Sequence, residues 1–237
     1  MTGDAYAGLS SHYDMVMTSG YYDYDVYSAA ILRLAGQRRD VLEVGVGTGL
    51  VCEKLLELSQ GDVRITGIDT SASMLGQARR RLRDRVRLEQ QDVLRLALNQ
   101  VFDVVYSVGG VWAFTRTDDG IPMASFLRSD SENEQAFGNL RSCLRPGGIL
   151  LVAVQRPHVD HSLRLPGGLA HRQEVHDAGD NLLTEDYWIT DGPVTVAHQR
   201  STFRILGLTE SVRLLARCGF RSDGLDADGL FHCFTRV

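Results

Sequence analysis

Val41-Leu42-Glu43-Val44-Gly45-Val46-Gly47-Thr48-Gly49 is the stretch that decides the fold. An apolar, β-rich run meets three glycines at alternate positions. Helical spacing follows at once, with Leu50, Val51, Lys54, Leu55 and Leu58 on one stripe. Bare backbone at the end of a strand lets a bulky ligand approach, and the helix start behind it offers free N–H groups.

Outward from this turn, short apolar runs alternate with helical patterns, as in a parallel sheet with crossover helices. The strand candidates are 40–44, 63–68, 86–90, 102–107 and 149–155, each short and apolar enough to be covered on both faces. Helices are expected over 26–34, 49–58, 71–83 and 132–144, with Ser71 as an N-cap and Pro146-Gly147-Gly148 turning the chain into the fifth strand. Beyond it, alternating runs over 182–188 and 194–203, set off by Gly179-Asp180-Asn181 and Asp191-Gly192-Pro193, predict an inserted antiparallel hairpin. A helix over 208–217 and strands over 220–225 and 230–237 close the chain. The reading is an α/β, Rossmann-like, doubly wound and mostly parallel seven-stranded sheet with a hairpin lid. One domain is expected over all 237 residues, with an N-terminal cap over 1–38 and the lid over about 156–206.

Composition narrows the function. A formal charge of −5 gives no electrostatic case for a nucleic-acid surface, and no apolar run reaches the roughly 20 residues that cross a bilayer. The start of the chain has no basic stretch followed by an apolar one, so export is not expected. Cys52, Cys143, Cys218 and Cys233 form no CxxC pair and read as reduced thiols of a cytoplasmic protein. The single lysine, Lys54, among 25 cationic residues points to a GC-rich genome and to nothing mechanistic.

Two acids sharpen the reading of the glycine turn. Asp69 ends the second strand and can accept two hydrogen bonds from a ribose diol; Asp92 follows the third and can accept one from an adenine amine. With GxGxG rather than GxGxxG spacing, the chain resembles the class I S-adenosylmethionine-dependent methyltransferases, in particular the small-molecule branch that acts on nitrogen of deoxyamino sugars. The resemblance runs from about Tyr13 to the C-terminus. It implies S-adenosylmethionine as cofactor, with S-adenosylhomocysteine as product, and transfer of a methyl to a nitrogen or oxygen of a small molecule, plausibly in natural-product biosynthesis.

The same resemblance implies the site residues. Glu43 supports the region of the methionine amino group, Gly45, Gly47 and Gly49 line the methionine and ribose, Asp69 takes the ribose hydroxyls, and Thr70 next to it belongs to the cofactor site. Met74 packs on the adenine, Asp92 and Val93 read its edge, and Ser107 lies near the methionine moiety. Tyr13 and Tyr24 match a paired Tyr-Asp and Asp-Tyr cap that folds over the cofactor.

Trp112, Phe114 and Phe126, with Tyr187 and Trp188 from the hairpin, are expected to wall an acceptor pocket beside a long loop over 115–131. Should a base be needed, His158 and His198 are the candidates, with His161 beside them. No metal is expected, and the partner is a small-molecule acceptor, with no nucleic acid and no membrane; a homodimer is left open. The competing readings are an NAD(P)-dependent reductase and a non-catalytic, cofactor-binding partner subunit.

Overall fold

The computed structural model describes residues 6, 8–20, 22–157 and 159–237. The chain opens with α1 (Ser10–Met17) and α2 (Tyr24–Ala35). It then alternates β1 (Asp40–Val44), α3 (Leu50–Leu58), β2 (Arg64–Asp69), α4 (Ala72–Leu82), β3 (Arg87–Gln90) and β4 (Phe102–Ser107). Short strands β5 (Trp112–Thr115) and β6 (Met123–Ser125) precede α5 (Asp130–Cys143) and β7 (Leu144–Gln155). After β8 (His161–Arg164) come β9 (Leu169–Gly179), β10 (Leu182–Asp191) and β11 (Val194–Leu206), then α6 (Leu208–Arg217), β12 (Phe220–Leu225) and β13 (Phe231–Arg236).

Strands β3, β2, β1, β4 and β7 pair in parallel in that order; β13 joins β7 antiparallel and β12 completes the seven. The sheet's period of two divides its side chains between two cores. Val41, Val104, Tyr106 and Leu151 face Ile31, Leu55 and Leu75 from α2, α3 and α4. Their neighbours Leu42, Val105, Leu150 and Val152 face Phe137, Leu140, Leu214 and Leu215 from α5 and α6. All five residues of β1 are buried, the apolar Val41, Leu42 and Val44 along with the carboxylates Asp40 and Glu43.

Three expectations change. Helix α5 begins at Asp130, because the Ser129 hydroxyl accepts from the Glu132 N–H and the Glu132 carboxylate answers the Ser129 N–H, a capping box that places the start before Glu132. Strand β7 already begins at Leu144, and Pro146-Gly147-Gly148 makes a bulge within it, where the pairing to β4 jumps from Phe102↔Leu144 to Val104↔Ile149. The lid is more than a hairpin. Strands β8, β9, β10 and β11 form an antiparallel sheet, and β11 pairs with β6, which pairs with β5, which meets the end of β7 at Phe114↔Val154.

The segment 115–131 therefore contains a strand, β6, that anchors the lid to the parallel sheet. Its three residues are all buried but too few to show a period in sequence. The two lid turns stand where expected: Asp180 and Asn181 both carry positive φ (52° and 58°), as a type I′ hairpin requires. Among the described residues no helix is long and apolar enough to cross a membrane.

Candidate active site

The carboxyl ends of β1, β2 and β3 open onto one cleft of about 280 Å³. Its walls include Gly45, Gly47, Asp69, Thr70, Met74, Asp92 and Val93. All three glycines of the first turn have positive φ, at 78°, 53° and 84°, but they do different work. A Cβ on Gly45 would stand 2.6 Å from the Gly110 Cα, so this glycine lets two backbones touch. A Cβ on Gly49 would meet the Leu82 side chain at 2.7 Å, which makes it a helix-packing residue outside the cleft walls. A Cβ on Gly47 meets nothing within 4 Å and points into open space in the cleft wall.

Asp69 is held in place by the turn it faces. Its Oδ2 accepts the Gly47 N–H at 2.8 Å and its Oδ1 the Ser71 N–H at 2.9 Å. Ser71 caps α4 through its hydroxyl, as its position before the apolar stripe predicts. Asp92 accepts the Leu94 N–H at 2.9 Å, so its role as a short-turn cap coexists with a place in the cleft wall. The Asp92 carboxylate retains lone pairs for a further donor. Met74 is 2% exposed and packs both in the core and against the cleft.

Glu43 lies beneath the turn, 1% exposed, and its Oε2 accepts from the Cys52 thiol and the Tyr106 hydroxyl, each at 2.8 Å. Burial pushes its carboxyl up to about 8, against the lowering effect of those two hydrogen bonds. Ser107 is buried and donates to the Trp112 carbonyl at 3.1 Å, tying β4 to β5. Neither Glu43 nor Ser107 is in the cleft wall; both brace it from behind.

The loop between β4 and β5 crosses so close to β1 that a Cβ on Gly110 would lie 2.3 Å from the Val44 carbonyl oxygen. Gly109, Gly110 and Val111 from this loop, Phe126 and Leu127 after β6, and Tyr6 before α1 also line the cleft; of these the sequence reading named only Phe126, as a wall of the acceptor pocket. The Gly109-Gly110 pair just past a strand end was the available signal.

Tyr13 lines this cleft and an adjoining one of about 60 Å³, whose far wall is the lid. Burial raises its phenol well above the usual value and raises that of Tyr6 to about 12. The helix that carries Tyr13 is latched to the glycine turn, since Asp14 accepts from both Thr48 and Arg81. Tyr24 is set back from the cofactor cleft, in a neighbouring groove with Leu50 and Lys54.

Several acceptor-side expectations are corrected. Trp112 and Phe114 are wholly buried core residues: the indole stacks on Phe137 at 4.5 Å and donates to Asn133 at 2.7 Å, while Phe114 stacks on His232. Tyr187 does line the smaller cavity. Trp188, one residue on, faces the other side of the lid, under Arg172 and stacked on His198. His198 is on that outer face too, bound to Asp186 at 2.7 Å and absent from both cavity walls. His158 lies outside the described residues. His161 lines a separate groove with Arg156 and Gln173.

The fold is the α/β, Rossmann-like fold of S-adenosylmethionine-dependent methyltransferases, and the cleft lies at the carboxyl ends of its parallel strands. Residues 41–148 match the family described as "Methyltransferase domain", a span that runs from β1 to the bulge in β7. Over 179 residues the chain is 26% identical to an uncharacterized methyltransferase of Geobacillus thermodenitrificans, covering 76% of this chain and 75% of that one. Among solved structures, DesVI of Streptomyces venezuelae aligns with a TM-score of 0.70 at 21% identity, covering 96% of this chain and 97% of that one. The SAM-bound CalS10 of Micromonospora echinaspora, an amino pentose methyltransferase involved in calicheamicin biosynthesis, aligns with a TM-score of 0.68 at 20% identity, over 95% and 96% of the two chains. At such identities these two likenesses are of fold.

The cleft suits S-adenosylmethionine on its own chemistry: an open glycine at the first strand end, and a carboxylate at the second and third, ring one cavity. A nicotinamide-dependent reductase is not favoured by any of these findings.

Proposed function

We propose that this chain methylates an amine nitrogen of a small, hydroxyl-bearing acceptor such as an amino sugar, in natural-product tailoring. The observation that carries the reading is the convergence of Gly47, Asp69 and Asp92, from three separate strand ends, on a single cleft beside the lid cavity. CalS10 acts on an amino pentose, and the sugar N-methyltransferase KedS8 aligns over 95% of this chain with a TM-score of 0.67. The four cysteines are free, which suits a cytoplasmic setting.

Asp69 takes the ribose hydroxyls, Asp92 and the Val93 N–H take the adenine edge, and the bare face of Gly47 lies against the methionine and ribose. Tyr13 and Phe126 close over the junction of the two cavities and keep water out. S-adenosylmethionine supplies, when bound, an electrophilic methyl on sulfur for in-line displacement. Nitrogen is preferred over oxygen because no carboxylate, imidazole or amine is among the described residues that line the smaller cavity; Glu185, on the same face of the lid, is buried outside that lining. Raised phenol values keep Tyr6 and Tyr13 protonated near neutrality, so neither is a base. A neutral amine attacks the methyl carbon through its own lone pair as the sulfonium C–S bond breaks to leave the thioether, and the N-methylammonium formed carries its extra proton out to solvent on release, so no base in the wall is needed.

The test is calorimetric titration with S-adenosylhomocysteine. Asp69→Ala is expected to lose roughly 1.5–3 kcal/mol of binding, the range for a charged hydrogen bond. Asp69→Asn, which keeps an acceptor oxygen for the turn, controls for collapse of the loop. Wild-type affinity in both variants removes Asp69 from the site.

A further inference from the structure

The smaller cavity is floored by Ala113 and Ala124 and bounded by the lid's inner face. That face follows from the register: Tyr187 stands opposite Gln199 on β11 and opposite Gln173 on β9, and Glu185 stands opposite Ser201. A sheet face turned toward a protein interior is ordinarily apolar. This one carries Gln173, Glu185, Gln199 and Ser201, all buried, while the aliphatic Val194 and Val196 are exposed.

Gln199 is the residue this arrangement singles out. It is 7% exposed and lines the cavity. Its amide nitrogen donates to the Ser201 hydroxyl at 3.3 Å, and its side chain lowers the Tyr6 phenol against the larger raising effect of burial. Its carbonyl Oε1 has no hydrogen-bond partner among the described residues. A buried acceptor left unmet opposes folding and persists where a ligand completes it.

We propose that Gln199, steadied by Ser201, is a specificity-determining residue for the acceptor, its Oε1 accepting a hydrogen bond from a ring hydroxyl while the acceptor's amine points at the cofactor cleft. The inference rests on the methyl-transfer reading above and adds to it the group that reads the acceptor. Carbonyl recognition selects donors: a hydroxyl is accepted, an ether or a bare methylene in its place is rejected because Oε1 is left buried and unmet. An amide also carries no charge, so it discriminates by hydrogen-bond direction alone.

The experiment uses the whole chain saturated with S-adenosylhomocysteine and titrated with methyl 3-amino-3-deoxyglucopyranoside and its singly deoxygenated analogues. Gln199→Met, of nearly the same volume, is expected to weaken binding of the amino glycoside by about tenfold. Its affinity for S-adenosylhomocysteine stays within about twofold, which also shows that the fold is intact. One deoxy analogue is expected to lose the same factor on the wild type and nothing further on Gln199→Met, the coupling of a direct pair. Gln199→Glu, which keeps an acceptor oxygen, retains binding. Equal glycoside binding by wild type and Gln199→Met overturns the assignment. A wild type that binds S-adenosylhomocysteine but no glycoside of the series overturns it as well, and leaves methyl transfer standing. Failure to bind S-adenosylhomocysteine sinks the underlying reading instead.

Discussion

Alanine at Gly47 and at Gly45 makes a matched pair of perturbations, because the two positions share a left-handed backbone and differ in what a Cβ meets. Forcing an L-residue into that region costs roughly 1–2 kcal/mol at either position. At Gly47 that is the whole folding cost, since a Cβ finds nothing within 4 Å. At Gly45 the Cβ falls 2.6 Å from the Gly110 backbone, which adds overpacking of about 1–3 kcal/mol. Gly45→Ala is thus expected to lose about 2–5 kcal/mol of stability and Gly47→Ala about 1–2.

For a chain of this size each kcal/mol moves the melting temperature by about 2–4 °C, so thermal scans separate the two variants. Binding reverses the order of interest. The Gly47 methyl projects into the cleft where the cofactor's backbone contact is expected, and the same overpacking range converts to about a 5- to 150-fold loss of S-adenosylhomocysteine affinity. Calorimetry on the folded Gly47→Ala variant reads this directly. Binding within twofold of wild type, with a melting transition shifted only slightly, would refute the placement of the cofactor against this glycine.

Three further outcomes follow from the structure. Because burial raises the Glu43 carboxyl to about 8, the folded state holds a proton that the unfolded chain releases near its ordinary value. Stability therefore falls as pH rises from about 4.5 to about 8; urea denaturation should show Glu43→Gln flattening that slope, and an unchanged slope contradicts a protonated Glu43. Trp112→Ala should cost about 3–5 kcal/mol of stability, as for a large core aromatic, and a variant that melts like wild type would return Trp112 to the pocket. His198→Ala should leave the methylation rate within about twofold, since the imidazole faces Asp186 on the outer side of the lid; a hundredfold fall with the fold intact would restore it as a base.

Sequence alone determined the parallel half of this protein. The five short apolar runs, the first three leading to a glycine or an acid, and the helical stripes between them are local patterns read by period, and Phe102–Ser107 and Leu208–Arg217 stand where the spacing puts them. The candidate cleft was legible for the same reason: Gly47, Asp69 and Asp92 sit at strand ends, and a parallel sheet brings strand ends together whatever else the chain does. What only the tertiary structure decided is which way side chains of the acceptor region face. Trp112 and Phe114 have the composition of a pocket wall, yet β5 is inserted between β7 and β6, with the stacking of Phe137 and His232 drawing both rings inward. Tyr187 and Trp188 are adjacent and aromatic, and one step along a strand sends them to opposite faces. Register is a property of pairing between distant segments, so the lining of the lid cavity, Gln199 included, exists only once β9, β10 and β11 have found one another.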